Sequence, residues 1–407
     1  MQKKTVRDIE VKGKRVLVRV DFNVPLDTNS GIISDDSRIR ASLPTIKYLI
    51  DRKATVILCS HLGRPKGKVV GELRIAPIAQ HLSQLIELPV STTCDCVGKE
   101  VESKIEALKE GDILFLENVR FYPGEEANDP RFAQDLAKLA DIYVDDAFGA
   151  AHRAHASTVG VADYLPAVAG FLMEKELKAM GKLLTSPEHP FACLIGGAKV
   201  GDKIGLIQNM LKKVDVLLIG GSMAATFLKA KGYEVGRSLI EKDKLSLTEQ
   251  LLQEAEEWKV SLLLPIDVIV AEEFKAEALT NIVLITDIPP NSYIVDIGPQ
   301  SVELFCNELR KCHTIMWNGP MGIYEIPQFA QGTRALANFL STLNATTIIG
   351  GGSTSEIVQE MGLTDKMTHV STGGGASLRF LEGLSLPGVE VLQDLQHSCK
   401  TEGEERS

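Results

Sequence analysis

Short unbroken apolar runs alternate with segments of helical spacing along nearly the whole chain. In the first half the runs occupy residues 15–20, 54–59, 113–116 and 142–144. Runs of this length, bounded by polar turns, read as strands buried on both faces. The segments that follow them, 44–52, 75–85, 100–108 and 131–139, carry apolar residues at helical intervals. The second half repeats the scheme, with helices expected over 203–213, 221–230, 247–258, 301–309 and 331–343. Strand and helix alternating in this way imply an α/β protein, with parallel sheets covered by helices on both faces. Residues 174–184 read as a helix with no strand before it. That helix runs into Ser186-Pro187-Glu188-His189-Pro190, a proline-rich break suited to an interdomain connection.

The apolar runs stop at functional groups, and the kind of group changes halfway along. First-half strands end at Asp21-Phe22-Asn23, Ser60-His61-Leu62-Gly63-Arg64, Glu117-Asn118-Val119-Arg120 and a loop holding His152-Arg153-Ala154-His155. Second-half strands end at glycines: Gly196-Gly197-Ala198-Lys199, Gly220-Gly221, Asn318-Gly319-Pro320, Gly350-Gly351-Gly352 and Gly373-Gly374-Gly375. Open α/β sheets bind ligands at the carboxyl ends of their strands. Two tip chemistries therefore imply two sheets that hold two different ligands.

Composition narrows the class. A chain of 407 residues can form two or three domains with their own cores. A net charge of -10 argues against a general nucleic-acid binder, although a cleft in an acidic protein can still focus positive potential on a small anion. The seven cysteines are scattered, and Cys94 and Cys96 are too close for a CxxC zinc motif. Free thiols in a reducing compartment are expected. The first ten residues are charged and lead at once into a strand, so they do not read as a secretory signal. The longest charge-free apolar stretch, 216–228, is too short and glycine-broken to span a bilayer. A cytoplasmic protein with no membrane or nucleic-acid partner is expected. A plastid protein stripped of its transit peptide would look the same.

The second-half turns suit a polyphosphate. In Gly196-Gly197-Ala198-Lys199-Val200-Gly201-Asp202-Lys203 a helix is expected to begin near Asp202, with Lys199 and Lys203 at helical spacing around its first turn. Two cations there repel each other and oppose the helix dipole, which a bound anion would reconcile. The stretch is not a Walker loop. Gly350-Gly351-Gly352-Ser353 and Gly373-Gly374-Gly375 let backbone approach a ligand at a helix N-terminus. Ser353 with Glu356 also spells a capping box. In the first half Arg38, His61, Arg64, Arg120 and Arg153, all expected in loops, would form a site for phosphate and carboxylate groups. Asp21 and Asn23 offer an acceptor and an amide for a ligand hydroxyl. His61 is expected to orient rather than act as a general base. Glu325 could accept from a ribose hydroxyl, and Trp317, a residue type more often core than base-stacking, is left unassigned.

Together these motifs, with Asp146-Ala147-Phe148-Gly149 and Ser371-Thr372-Gly373-Gly374-Gly375-Ala376-Ser377, resemble phosphoglycerate kinases in the family's order over almost the whole chain. The resemblance implies two Rossmann-like domains, 1–172 and 191–386, joined by a helical hinge at 173–190. The segment 387–407, with its fraying tail, would return to the first domain. It implies reversible phosphoryl transfer between ATP and the carboxylate of 3-phosphoglycerate, giving ADP and 1,3-bisphosphoglycerate, by a monomer in glycolysis or carbon fixation. By the same resemblance Asp21, Asn23, Arg38, His61, Arg64, Arg120 and Arg153 would hold the phosphoglycerate. Gly196, Gly197, Lys203, Gly220, Gly298, Asn318, Pro320, Glu325, Gly350, Gly351, Gly352 and Ser353 would hold the nucleotide. Arg38, Lys199 and Lys203 would attend the phosphoryl group in flight, with Gly373 and Gly374 beside it. Direct in-line transfer after hinge closure needs positioning and charge neutralisation rather than a covalent intermediate.

One position departs from the pattern. The family usually has an Asp, its ligand to the nucleotide's magnesium, where this chain has Ser353. Serine lacks the charge that a hard divalent cation favours, so Mg2+ would be held mostly by phosphate oxygens and water. Two other readings stay open: a binder that has lost magnesium chemistry, and a kinase for a different small molecule. The retained Arg38, Lys199 and Lys203 weigh against the first, and the intact Asp21, Asn23, Arg64 and Arg153 against the second.

Overall fold

Strands whose every residue is buried account for the unbroken apolar runs: β2 (Thr55–Cys59), β7 (Phe191–Ile195), β10 (Asp267–Ala271) and β13 (Thr314–Asn318). The computed structural model describes residues 2–27 and 33–395. Cys399 and the expected fraying tail lie outside them. The chain divides into two compact units, Met1–Leu177 with Leu386–Ser407, and Lys178–Ser385.

The first unit is built on a six-stranded sheet, ordered β3-β4-β2-β1-β5-β6 and parallel throughout. Its other strands are β1 (Arg15–Arg19), β3 (Val90–Thr92), β4 (Ile113–Phe115), β5 (Ile142–Asp145) and β6 (Ala167–Ala169). The helices are α1 (Ser37–Asp51), α2 (Ala76–Ile86), α3 (Lys99–Glu106), α4 (Pro123–Glu126) and α5 (Pro130–Ala137). Val16, Val18, Val56, Leu58 and Phe115 of the sheet pack with Ile39, Ile46 and Leu49 of α1 and Ile78 and Leu82 of α2 in one core. The last described residues belong to this unit: Gln393 N–H donates to the Ala167 carbonyl at 3.0 Å, and Gly388 N–H to that of Ala151 at 2.9 Å.

Two expectations change here. The helix expected from Pro44 starts at Ser37, with Pro44 in its interior. Proline suits a first helical position, but the buried stripe Ile39, Ile46 and Leu49 extends the helix through it. The helix expected without a preceding strand, α6 (Phe171–Thr185), does follow one. That strand is β6, a three-residue edge strand of small residues, too short to stand out as a run.

The second unit carries the parallel sheet β15-β14-β13-β7-β8-β9. Its elements are α7 (Ile204–Leu211), β8 (Val216–Ile219), α8 (Ala224–Ala230), α9 (Leu245–Glu257), β9 (Ser261–Leu263) and α10 (Pro299–Leu309). They continue with α11 (Gln331–Leu340), β14 (Thr346–Gly350), α12 (Gly352–Glu360), β15 (His369–Val370) and α13 (Gly375–Leu381). The core includes Trp317, which the sequence left unassigned, with Leu194, Leu218, Phe305 and Leu336. This unit also has a sheet that parallel α/β alternation does not foresee. It is antiparallel, ordered β11-β10-β12, with β11 (Thr280–Leu284) and β12 (Tyr293–Ile297). Strand β11 is mostly exposed, and its polar start hides it among loop residues. Among the described residues no helix is long and apolar enough to cross a membrane.

Candidate functional site

In the first unit β4, β2, β1 and β5 are adjacent and parallel, so the residues just beyond them share one edge of the sheet. Buried polar side chains fasten those tips together. Ser60 Oγ accepts from Phe22 N–H at 3.0 Å, and Asn23 Oδ1 from Gly63 N–H at 2.8 Å. The Asn118 amide donates to the carbonyls of Leu62 (2.8 Å) and Leu73 (2.9 Å), while its oxygen accepts from Leu62 and Arg120 N–H. Glu117 accepts from Ile75 N–H at 3.0 Å and from Arg74 at 2.7 Å. Neutral residues in the motifs thus set the spacing of the charged ones, a role that sequence reading missed for Ser60 and Asn118.

The cations are arranged on this frame. Arg38 lies in the first turn of α1 and not in a loop, and its Nη1 donates to Asp21 Oδ2 at 2.6 Å. Burial alone would raise the Asp21 pKa, but the guanidinium charges of Arg38 and Arg19 and the Asn23 N–H oppose it, and the carboxyl stays below its usual range. Arg120 sits in a short 3-10 turn, again not a loop, and its Nη1 donates to the Gly63 carbonyl at 2.8 Å. Its Nε lies 3.2 Å from Glu126 Oε1 without the alignment of a hydrogen bond. Arg153 Nε donates to His152 Nε2 at 3.1 Å, and Arg64 is exposed. Burial, then the charge of Arg120, pushes His155 down to about 4. Arginines thus dominate the positive character of this edge near neutral pH.

In the second unit the glycine turns interlock. Gly196 N–H donates to the Asn318 carbonyl and Gly197 N–H to that of Pro320, both at 3.0 Å. A Cβ on Gly196 would collide with the Pro320 carbonyl, and Gly221 must adopt a φ of +67° beside Gly197. Gly319 N–H donates to the buried Thr354 Oγ1 at 2.8 Å, and Gly373 N–H to Ser371 Oγ at 3.0 Å. Lys203 Nζ donates to Asn318 Oδ1, whereas Asn318 Nδ2 is buried with no hydrogen-bond partner. A bound anion satisfies a donor of this kind. Burial lowers the Lys203 pKa against the opposing charge of Asp202. Gly298 follows β12 of the antiparallel sheet rather than a parallel strand. The Glu325 loop lies along β12 through Ile323 N–H, which donates to the Val295 carbonyl at 3.0 Å. Glu325 itself is exposed.

Two local expectations are corrected. Helix α7 begins at Ile204 with Lys203 at its N-cap, so Lys199 and Lys203 are not helical neighbours, and the helix-dipole argument holds for Lys203 alone. Lys199 is exposed and Lys203 is partly buried against Asn318. The residues before Ile204 form turns instead, with Gly201 N–H held by Glu241 Oε2 at 3.0 Å. Ser353 does not cap α12: Gly351 stands at the N-cap, and Ser353 is the second helical residue. Glu356 accepts from the Tyr324 hydroxyl at 3.3 Å. Gly351, at a φ of +91°, starts the helix two positions earlier than a serine cap would.

Comparison with known proteins bears on the chain as a whole. Residues 6–384 match the family model for phosphoglycerate kinase. The chain is 58% identical over 398 residues to the phosphoglycerate kinase of Dictyoglomus turgidum, covering 97% of this chain and all of the relative. It is 56% identical over 394 residues to that of Pelotomaculum thermopropionicum, with the same coverage. The solved structure of phosphoglycerate kinase from Coxiella burnetii superposes with a TM-score of 0.85 at 42% identity, covering 96% of this chain and 98% of that one. Fold, tips and matches define a kinase, a transferase that moves a phosphoryl group from ATP. More narrowly, the chain belongs to the phosphoglycerate kinase family.

Proposed function

We propose that the chain transfers a phosphoryl group reversibly between ATP and the carboxylate of 3-phosphoglycerate, with the acid held at the first unit's tips and the nucleotide at the second's. The division of chemistry between the two sheets carries the reading: arginines with Asp21 and His61 on one, interlocked glycine turns with Lys203 and Asn318 on the other. Guanidinium forks suit phosphate and carboxylate oxygens. Backbone N–H groups and an ammonium suit a polyphosphate. Arg38, Lys199 and Lys203 neutralise charge on the transferring group, Gly373 and Gly374 let backbone approach it closely, and Glu325 and Gly298 border the nucleoside. Because different units hold the two reactants, transfer requires the units to bend toward each other about the connecting segment 173–190. The enzyme works as a cytoplasmic monomer.

Magnesium enters with the nucleotide as the Mg-ATP substrate. Among the described residues no group of three His, Cys, Asp or Glu side chains could hold a metal ion. Ser353 supplies a hydroxyl that interacts with Tyr324. A neutral hydroxyl is a weak ligand for a hard divalent ion, so the nucleotide's phosphate oxygens and water would carry most of the magnesium's coordination.

A coupled assay with ATP, magnesium and 3-phosphoglycerate tests the reading. Turnover is expected, with kcat falling about a hundredfold or more in Arg38→Ala, the size of effect seen when a group stabilising the transition state is removed. Folded protein without turnover would overturn it.

A further inference from the structure

We propose that Arg19 is a positioning residue for His61, fixing the ring as a neutral donor that presents its Nε2–H to the bound acid. The inference rests on the reading that the acid binds at the first unit's tips. Arg19 is the last residue of β1 and only 1% exposed. Its Nη2 lies 3.1 Å from His61 Nδ1, its Nε donates to Ser157 Oγ at 2.8 Å, and its Nη1 donates to the Val20 carbonyl. A guanidinium has five donors and no acceptor. His61 Nδ1 must therefore accept, which leaves the ring proton on Nε2.

The fork is itself held from behind. Ser157 Oγ donates onward to Glu125 Oε1 at 2.6 Å, and Ser157 N–H donates to Oε2 at 2.9 Å. Glu125 is fully buried, so a buried cation and a buried acid face each other across one hydroxyl. Buried charges persist when they are paired and hydrogen-bonded in this way. The groups around His61 agree with a neutral ring. Burial lowers its pKa well below the ordinary value, Asp21 opposes that, and Arg19, Arg120 and Arg153 reinforce it. Asp21 Oδ1 stands 3.9 Å from Nδ1, too far for a hydrogen bond. An imidazolium would gain that one distant partner and be repelled by three guanidiniums.

This gives His61 a different part from the arginines around it. It adds a directed hydrogen bond without a charge, and with Nδ1 occupied it is not poised as a base. A histidine read from sequence alone offers two tautomers and a charged form; Arg19, 42 positions away in the chain, selects one of them.

NMR of ring-15N-labelled histidine in the ligand-free enzyme reads the tautomer directly, with His61→Gln identifying the signal. The expected spectrum shows a proton on Nε2 and a bare Nδ1 from about pH 8 to about pH 5, across the ordinary histidine range. A proton on Nδ1, or a charged ring at neutral pH, would overturn the proposal. Arg19→Lys removes the fork. It is expected to mix the tautomers and to raise KM for 3-phosphoglycerate about tenfold, the scale of one charge-assisted hydrogen bond, leaving KM for ATP unchanged. An unaltered spectrum in folded Arg19→Lys protein overturns the role of Arg19. If that variant does not fold, Ser157→Ala keeps both charges and is expected to shift the spectrum and the same KM less far; no change in either is an overturning result. Titrating 3-phosphoglycerate into the wild type separates the two claims. If the tautomer is as expected but the His61 signal does not move, the substrate-site reading fails and the tautomer result stands.

Discussion

Ser353 is where a single side chain bears most on chemistry. It sits in the first turn of α12 with a neighbouring tyrosine hydroxyl, and contributes no charge. Ser353→Asp adds an anionic oxygen ligand beside the proposed nucleotide phosphates. The magnesium concentration giving half-maximal rate is expected to fall about threefold to tenfold, within the range of one added electrostatic contact. An unchanged magnesium dependence would show that another group handles the metal. The serine itself was legible in the sequence. Its place inside the helix was not, because a Ser-x-x-Glu pattern also describes helices that a preceding glycine starts two positions earlier.

At the scale of elements, the start of α6 rests on an unusual cap. Asp146 Oδ1 accepts from Leu172 N–H at 2.9 Å, and Thr45 Oγ1 accepts from Phe171 N–H at 2.9 Å. Burial pushes Asp146 up to about 7, against the neighbouring Thr45 hydroxyl and hydrogen bonds from Leu172 and Met173 N–H that favour its charged form. A carboxyl raised in the folded state titrates at its ordinary value in the unfolded chain. Its contribution to stability is full below about pH 4 and falls as only the unfolded chain ionises. The contribution is lost as pH passes the folded value of about 7. Asp146→Asn keeps an acceptor for the helix N–H groups and cannot ionise. Its melting temperature relative to wild type is therefore expected to rise between about pH 5 and about pH 8. A difference that stays flat across that interval would show that Asp146 does not titrate there. The Asp146-Ala147-Phe148-Gly149 motif could be read from sequence, but the partner of its acid could not. Thr45, Leu172 and Met173 come from two other elements that only packing brings to it.

For the whole molecule, a net charge of -10 coexists with a sheet edge crowded with arginines. Exposed Arg64 and half-buried Arg38 and Arg153 attract an anionic substrate through solvent, an attraction that salt screens. KM for 3-phosphoglycerate is expected to rise severalfold between about 50 mM and about 500 mM potassium chloride, with kcat changing less. A KM indifferent to salt would mean that the cluster acts only through direct contacts.

The sequence by itself determined the α/β class, the central strands of both parallel sheets and the switch from arginine-rich to glycine-rich tips. Buried parallel strands must be apolar throughout, and strand ends must carry whatever touches a ligand, so both leave a mark in the order of residues. What the tertiary structure decided is which groups meet. It put Arg38 in a helix, started the helix expected near Asp202 only after Lys203 with turns before it, and added an antiparallel sheet whose exposed edge strand has no apolar run. It joined Arg19 to His61 and Glu125 through Ser157, and Lys203 to Asn318. Charge state, tautomer and hydrogen-bond partner depend on distance in space, and these pairs lie tens of positions or more apart in the chain. Local pattern carries no record of them.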